Sequence, residues 1–289
     1  MRIGIITAGG DCAGLNAFIK TAVEGLIEDG HQVIGFKNGK TGMCKDIPEF
    51  HEMKLSDVRV GFEQLGGTIL GSCRRNAAKI REALKKGMEM PAINEEDKAV
   101  PFFPYFRNAV KKTSIDLMII SGGDSSLEIF YTCCKRLNLP LIAIPKTVDN
   151  NIPLTDMCLG YSSAVEISKT LIDGISNTAR SHSQWMVFQT MGGGIGELAM
   201  MTGVSAEADM ILIPEIDFKY SSIMKRIEED SAKGKNYGVL VVAEGIKPKD
   251  KKYHYLTDEI KGVLDNGVSV RTTIIGHYIR GCNPNAFDR

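Results

Sequence analysis

Two Gly-Gly-Asp triplets, Gly9-Gly10-Asp11 and Gly122-Gly123-Asp124, each follow a short apolar run, and Lys146-Thr147-Val148-Asp149 follows a third. Glycine lets backbone N–H groups approach phosphate oxygens, and an aspartate beside them can face a magnesium ion. One Gly-Gly-Asp turn also makes an ordinary loop. Two behind apolar runs, with a third loop carrying lysine and aspartate, point to phosphate held along one edge of a sheet.

The elements that must position these loops are legible in the pattern of apolar residues. Residues 3–7 and 117–120 are too short and too β-branched for helices, and they predict buried parallel strands. Phe18, Ile19, Val23 and Leu26 recur at helical spacing, which predicts a helix over 14–26 and then a strand at 32–36. A polar loop is expected at 38–42. The glycine density of 66–72 suits a loop that touches a ligand or packs on backbone; it ends at Arg74-Arg75, beside a helix expected at 76–86. The stretch 88–114 interrupts the alternation, and its aromatic run at 101–106 is expected to pack locally. Strand and helix then alternate to about residue 242, with the turn Met191-Gly192-Gly193-Gly194 after a strand at 185–188. The fold class expected is α/β: two doubly wound lobes with mainly parallel sheets and an active-site cleft between them. The lobes are placed at 1–160 plus 273–289 and at 161–272.

With 289 residues and 43% apolar content, two modest cores can be filled. Thirty-five basic residues balance thirty-five acidic ones, so no global field favours nucleic acid or an anionic membrane, and an anionic ligand needs a local basic cluster. Seven cysteines form neither a C-x-x-C pair nor finger-type spacing with histidine, which fits a reduced cytoplasmic setting. No apolar run approaches the roughly 18 residues that span a bilayer, and the early start of the first strand leaves no room for a secretory leader.

Gly9 through Asn16, Gly66 through Ser72, Gly122-Gly123-Asp124, Pro145 through Asn150, Met191-Gly192, Ala243-Glu244-Gly245 and Gly276 through Gly281 together resemble the phosphofructokinase family. The resemblance covers nearly the whole chain. It implies an ATP- or pyrophosphate-dependent kinase acting on the 1-hydroxyl of fructose 6-phosphate in glycolysis, with Mg2+. Asp149 is then the general base with Thr147 beside it, and Arg74 stabilises the charge on the transferring group. Asp124 holds the magnesium. Gly10, Asp11, Gly71, Ser72, Gly123, Ser125, Ser126 and Lys146 match donor-binding positions. Met191, Gly192, Glu244, Arg271, His277 and Arg280 match the sugar-phosphate pocket, where forked guanidinium donors suit a phosphate dianion. Family members form homo-oligomers, usually dimers or tetramers, with acceptor sites completed across an interface, so Arg271 is expected to serve a neighbouring copy. The donor is expected on the first lobe and the sugar phosphate on the second.

The chain departs from the family pattern at four positions. Gly193 stands where Met-Gly-Arg is usual, Gln184 replaces an arginine that holds the acceptor's phosphate, Asn151 replaces a second aspartate, and Lys40 takes the place of an adenine-packing ring. The family usually continues beyond Asp288-Arg289. The residue after Gly-Gly-Asp is Ser125, small and uncharged, which favours ATP over pyrophosphate on steric and charge grounds, whereas Lys146 accompanies pyrophosphate enzymes and a subset of ATP enzymes. Competing readings are a pyrophosphate-dependent enzyme, a paralogue with a different acceptor, and a non-catalytic sensor or partner subunit. A NAD-kinase-like or lipid-kinase-like protein is disfavoured by the Pro-Lys-Thr-Val-Asp-Asn and Gly-His-Tyr-Ile-Arg-Gly segments, and a dehydrogenase by the missing G-x-G-x-x-G spacing.

Overall fold

The computed structural model describes residues 1–73, 102–264 and 267–289. They form two compact units: Met1–Thr147 with Ile152–Gly160 and Asn283–Arg289, and Val148–Asn151 with Tyr161–Cys282.

The first unit runs β1 (Arg2–Thr7), α1 (Leu15–Glu28), β2 (Gln32–Phe36), α2 (Gly39–Met43), β3 (Phe50–Glu52), α3 (Phe103–Thr113), β4 (Leu117–Gly122), α4 (Asp124–Leu137) and β5 (Leu141–Pro145). Its sheet has the order β3-β2-β1-β4-β5 and is parallel except for β3. Alternation along β1 sends Ile3 and Ile5 to one face, against Ile19 and Val23 of α1. Ile6 goes to the other face, with Phe102, Phe106 and Phe130. Both faces are covered, which is why β1 reads as an unbroken apolar run.

Two expectations change here. The polar stretch at 38–42 is not a loop but enters the short helix α2, which starts after Asn38 in a left-handed conformation (φ 56°). Within the 101–106 run, Phe102 and Phe106 pack locally as expected, with centroids 5.3 and 5.8 Å from Phe130 and near-perpendicular rings, and Phe103 opens a helix that the sequence pattern did not reveal. The helix expected at 76–86, together with Arg74 and Arg75, lies outside the described residues.

The second unit runs α5 (Tyr161–His182), β6 (Trp185–Thr190), α6 (Glu197–Ser205), β7 (Met210–Leu212), α7 (Tyr220–Ala232), β8 (Gly238–Ala243), α8 (Leu256–Leu264), β9 (Val270–Ile274) and α9 (Tyr278–Gly281). The sheet order is β7-β8-β6-β9, parallel throughout. Val187, Leu240 and Val242 meet Ile223, Ile227 and Ile260 of α7 and α8 on one face, while Phe188 and Val241 meet Ile172 and Ala199 of α5 and α6 on the other. The α/β class with mainly parallel sheets is therefore the one expected. The loops after β1, β4, β5, β6 and β8 leave the carboxyl ends of their strands.

Candidate active site

In the first unit, the loops after β1, β4 and β5 converge. Gly9 adopts φ +84°, a region that disfavours side chains, and a Cβ there would stand 3.3 Å from Ser126 Oγ, 3.6 Å from Lys146 Nζ and 4.0 Å from the Gly123 nitrogen. Lys146 is 2% exposed and its ammonium donates to the Gly10 carbonyl. Ser72 Oγ donates to the Gly9 carbonyl at 2.5 Å. The carbonyls of the first glycine turn are thus taken by the protein. No acceptor among the described residues takes the Gly9 or Gly10 amide. Amides left in this way at a strand's carboxyl end make an anion site.

The 66–72 loop that carries Gly71 and Ser72 is tied down by two residues, Thr7 and Asn16. Thr7 Oγ1 donates to the Gly71 carbonyl at 2.8 Å, Asn16 donates to the Leu65 and Gly66 carbonyls, and the Ile69 amide donates to Asn16 Oδ1 at 2.9 Å. Sequence reasoning had given Thr7 and Asn16 no role. The signal for Asn16 was a polar residue on the buried side of α1, where it is 3% exposed.

Asp124 opens α4 and is exposed; its Oδ1 accepts from the Ser125 amide at 2.6 Å and from Ser125 Oγ at 3.0 Å. Among the described residues no group of three or more histidine, cysteine or acidic side chains could enclose a metal. One exposed carboxylate suits magnesium, which usually keeps waters and is shared with substrate phosphates. Asp11 is half-buried in the same loop as Gly10.

In the second unit, Asp149 is half-buried and lies against the glycine turn after β6: a Cβ on Gly193 would stand 3.2 Å from its Oδ2. Gly193 itself has φ +62°. Glu244, just past β8, accepts from the Gly192 amide at 3.2 Å and the Gly193 amide at 2.9 Å through one oxygen, Oε1. Glu215 Oε1 accepts from the Gly196 amide at 2.8 Å, and Tyr161 Oη donates to Glu197 Oε1 at 3.0 Å. Burial first, then that carboxylate, pushes the Tyr161 hydroxyl pKa up, so it stays protonated and able to donate. Met191 is buried at the start of the turn. Glu215 and Tyr161 were not foreseen, because nothing in one sequence marks a carboxylate that bonds a distant backbone amide.

His277 and Arg280 follow β9; His277 is exposed and Arg280 is buried. Arg271 lies elsewhere. It pairs in register with Met186, near the amino end of the sheet and four residues short of Thr190, roughly 13 Å along the strand. Its guanidinium bonds its own neighbour, the Val270 carbonyl, at 3.3 Å. Gln184 is buried at that same amino end, directly before the Trp185–Val270 pair. The second unit therefore gathers Asp149, Met191, Gly192 and Glu244 and leaves Arg271 apart from them. Thr147 is half-buried in the first unit, and Arg74 lies outside the described residues.

Comparisons with known proteins bear on this arrangement. The family model for phosphofructokinase matches residues 2–289. The chain is 34% identical over 295 residues to the ATP-dependent 6-phosphofructokinase 3 of Bacteroides thetaiotaomicron, covering all of this chain and 81% of that protein. It is 33% identical over 311 residues to the pyrophosphate–fructose 6-phosphate 1-phosphotransferase of Dictyoglomus thermophilum, covering all of this chain and 82% of that one. Among solved structures, phosphofructokinase from Saccharomyces cerevisiae aligns with a TM-score of 0.80 at 26% identity, over 99% of this chain and 39% of that longer one. Glycine turns at the strand ends, two mainly parallel sheets and these matches agree, and the chain belongs to the phosphofructokinase family of kinases.

Proposed function

We propose that this chain is a magnesium-dependent 6-phosphofructokinase that moves the terminal phosphoryl group of ATP to the 1-hydroxyl of fructose 6-phosphate, the glycolytic step. The first unit binds the donor through the Gly9-Gly10 amides, Gly123, Ser126 and the loop bearing Ser72; the second binds the sugar phosphate through the Met191–Gly193 turn, Glu244, His277 and Arg280. Asp149 takes the proton from the 1-hydroxyl as that oxygen bonds to phosphorus and the bond from phosphorus to the leaving diphosphate oxygen breaks. Asp124 holds magnesium, which neutralises charge on the donor phosphates. The observation that carries this reading is the half-buried Asp149 carboxylate held against a glycine turn that Glu244 fixes.

Ser125 favours ATP. It is small and uncharged, and its hydroxyl is folded back onto Asp124. A pyrophosphate-dependent reaction is the second reading, favoured by Lys146 and by the Dictyoglomus relative's name. Coupled assays with each donor separate the two: turnover with pyrophosphate and none with ATP reverses the assignment. For the base, Asp149→Asn is expected to lower kcat by about 10²–10⁴-fold with donor binding retained; wild-type turnover in that variant removes Asp149 from the role.

Arg271, at the amino end of the second sheet, supports a homo-oligomer in which this end faces a neighbouring copy's acceptor site, whereas Gln184 beside it lacks the arginine charge that such sharing uses. We place the protein in the cytoplasm; among the described residues no helix is long and apolar enough to cross a membrane.

A further inference from the structure

A cavity of about 230 Å³ opens in the second unit, between the segment that follows β7 and the segment that follows β8. Ile213, Pro214, Ile216, Phe218 and Ile246 give it apolar walls, and Lys247, Lys249 and Asp217 bring charge to it. None of these residues matches a donor or acceptor position. Two ammonium groups against one carboxylate leave a net positive lining.

The cavity is preformed. Glu259 is 4% exposed, and its two oxygens accept from the Lys249 amide at 2.7 Å and the Asp250 amide at 3.1 Å, which fixes the lysine-bearing loop. Lys249 Nζ sits 5.0 Å from the Phe218 ring centroid and 5.3 Å from that of Tyr220, and it reaches the Phe218 carbonyl at 3.4 Å. Lys247 is exposed.

Both walls also hold the glycine turn beside Asp149. The segment after β7 contributes Glu215, which accepts from the Gly196 amide. The segment after β8 contributes Glu244, which accepts from Gly192 and Gly193, and then Gly245, where a Cβ would stand 2.8 Å from the Gly193 carbonyl oxygen and 3.2 Å from Pro214. A ligand that bridges the walls would stiffen the turn from behind.

We propose that this cavity is an effector site for a small ligand with an anionic end, read by Lys247 and Lys249, and a compact apolar body, seated on Ile216, Phe218 and Ile246. Its occupancy restrains the 192–196 turn. Phenyl phosphate is a suitable probe, with inorganic phosphate and benzyl alcohol as its two halves. Calorimetry on the full chain, saturated with fructose 6-phosphate and a non-hydrolysable ATP analogue, should show one saturable site for phenyl phosphate and at least tenfold weaker binding of either half. The K247A/K249A pair should weaken binding tenfold or more. Ile216→Trp, at a position 66% exposed and so outside the core, should fill the cavity and abolish it. Amide exchange at Gly192, Gly193 and Gly196 should slow when the probe binds. Displacement of the probe by the substrates, or unchanged affinity in both variants, overturns the site; unchanged amide exchange on binding overturns the coupling. Because binding is read directly, an inactive kinase would leave this test intact.

Discussion

The two glycine turns have opposite polarity. In the turn after β1, the protein's own donors, Ser72 Oγ and Lys146 Nζ, take the Gly9 and Gly10 carbonyls, and no acceptor among the described residues takes the amide of either glycine. In the turn after β6, the protein's own carboxylates, Glu244 and Glu215, take the amides of Gly192, Gly193 and Gly196. Glycine richness alone therefore does not identify a phosphate site: what decides is which backbone group the surrounding side chains have already used. The first turn suits an anion from outside, as proposed for the donor, and the second is built around two, both supplied by the chain.

Removing the internal anion is the most direct way to break this contrast. Glu244→Ala releases two amides next to Asp149, each having lost a charge-assisted bond of about 1.5–3 kcal/mol. We expect kcat/KM for the acceptor to fall by about 10²-fold while the donor KM stays within twofold. Glu244→Gln keeps an oxygen acceptor and should recover part of the loss. Equal damage from both variants would mean that Glu244 acts through its charge on the substrate rather than through the turn.

The first turn should respond in the opposite substrate. Lys146→Met leaves the Gly10 carbonyl without its buried donor and frees the turn to rotate. The donor KM should rise about tenfold, in line with loss of one hydrogen bond to a charged group. The acceptor KM should not move. A steady-state matrix in both substrates reads the two effects separately, and a rise in the acceptor KM alone would show that the turns are not divided in this way.

Gly193→Arg restores the residue that the family pattern would place beside Asp149, at a backbone conformation and a contact that disfavour it. A side chain at φ +62° costs about 1–2 kcal/mol, and its Cβ would crowd Asp149 Oδ2 at 3.2 Å. Urea unfolding should register that loss, and acceptor affinity should not improve. Tighter acceptor binding at unchanged stability would mean that the turn rearranges freely.

How much of this was legible depended on where the bonds run. β1, β2 and β4 to β8 were readable because each is a short, mostly apolar run, and the glycine turns were readable because they follow such runs directly. β9 was missed since Val270-Arg271-Thr272-Thr273-Ile274 alternates polar residues at a sheet edge, and α2 was missed because glycine and a left-handed Asn38 resemble a loop. For the candidate site, the types Gly, Asp, Lys and Glu could be picked out, whereas their pairing could not. Glu215 meets Gly196 across 19 residues, and Ser72 meets Gly9 across 63. Such contacts exist only once the sheets have brought strand ends together, so periodicity carries no trace of them.

The smallest expected effect sharpens the same contrast at the level of one buried charge. Glu259, a buried carboxylate of the second unit, is paired with two amides. Lys40, in the first unit, is 5% exposed, and no acceptor among the described residues takes its ammonium. Burial pushes its pKa below the ordinary lysine value, with Cys73 and Cys44 pulling the other way. The unfolded chain therefore binds more protons than the folded one between the two values, and the folded state gains stability as pH rises through the folded pKa towards 10.5. Lys40→Met removes a buried charge that no described acceptor takes and keeps the volume, so the variant should be more stable at pH 7 by about 1 kcal/mol. Its advantage should shrink as pH approaches 10. The Cys44 thiol, pushed up to about 12 by burial and then by Cys73, stays neutral over that interval and does not obscure the comparison. Denaturant unfolding of both proteins at pH 7 and 9.5 measures the difference, and a gap of equal size at the two pH values would trace the gain to packing, leaving the desolvated ammonium without a part in it.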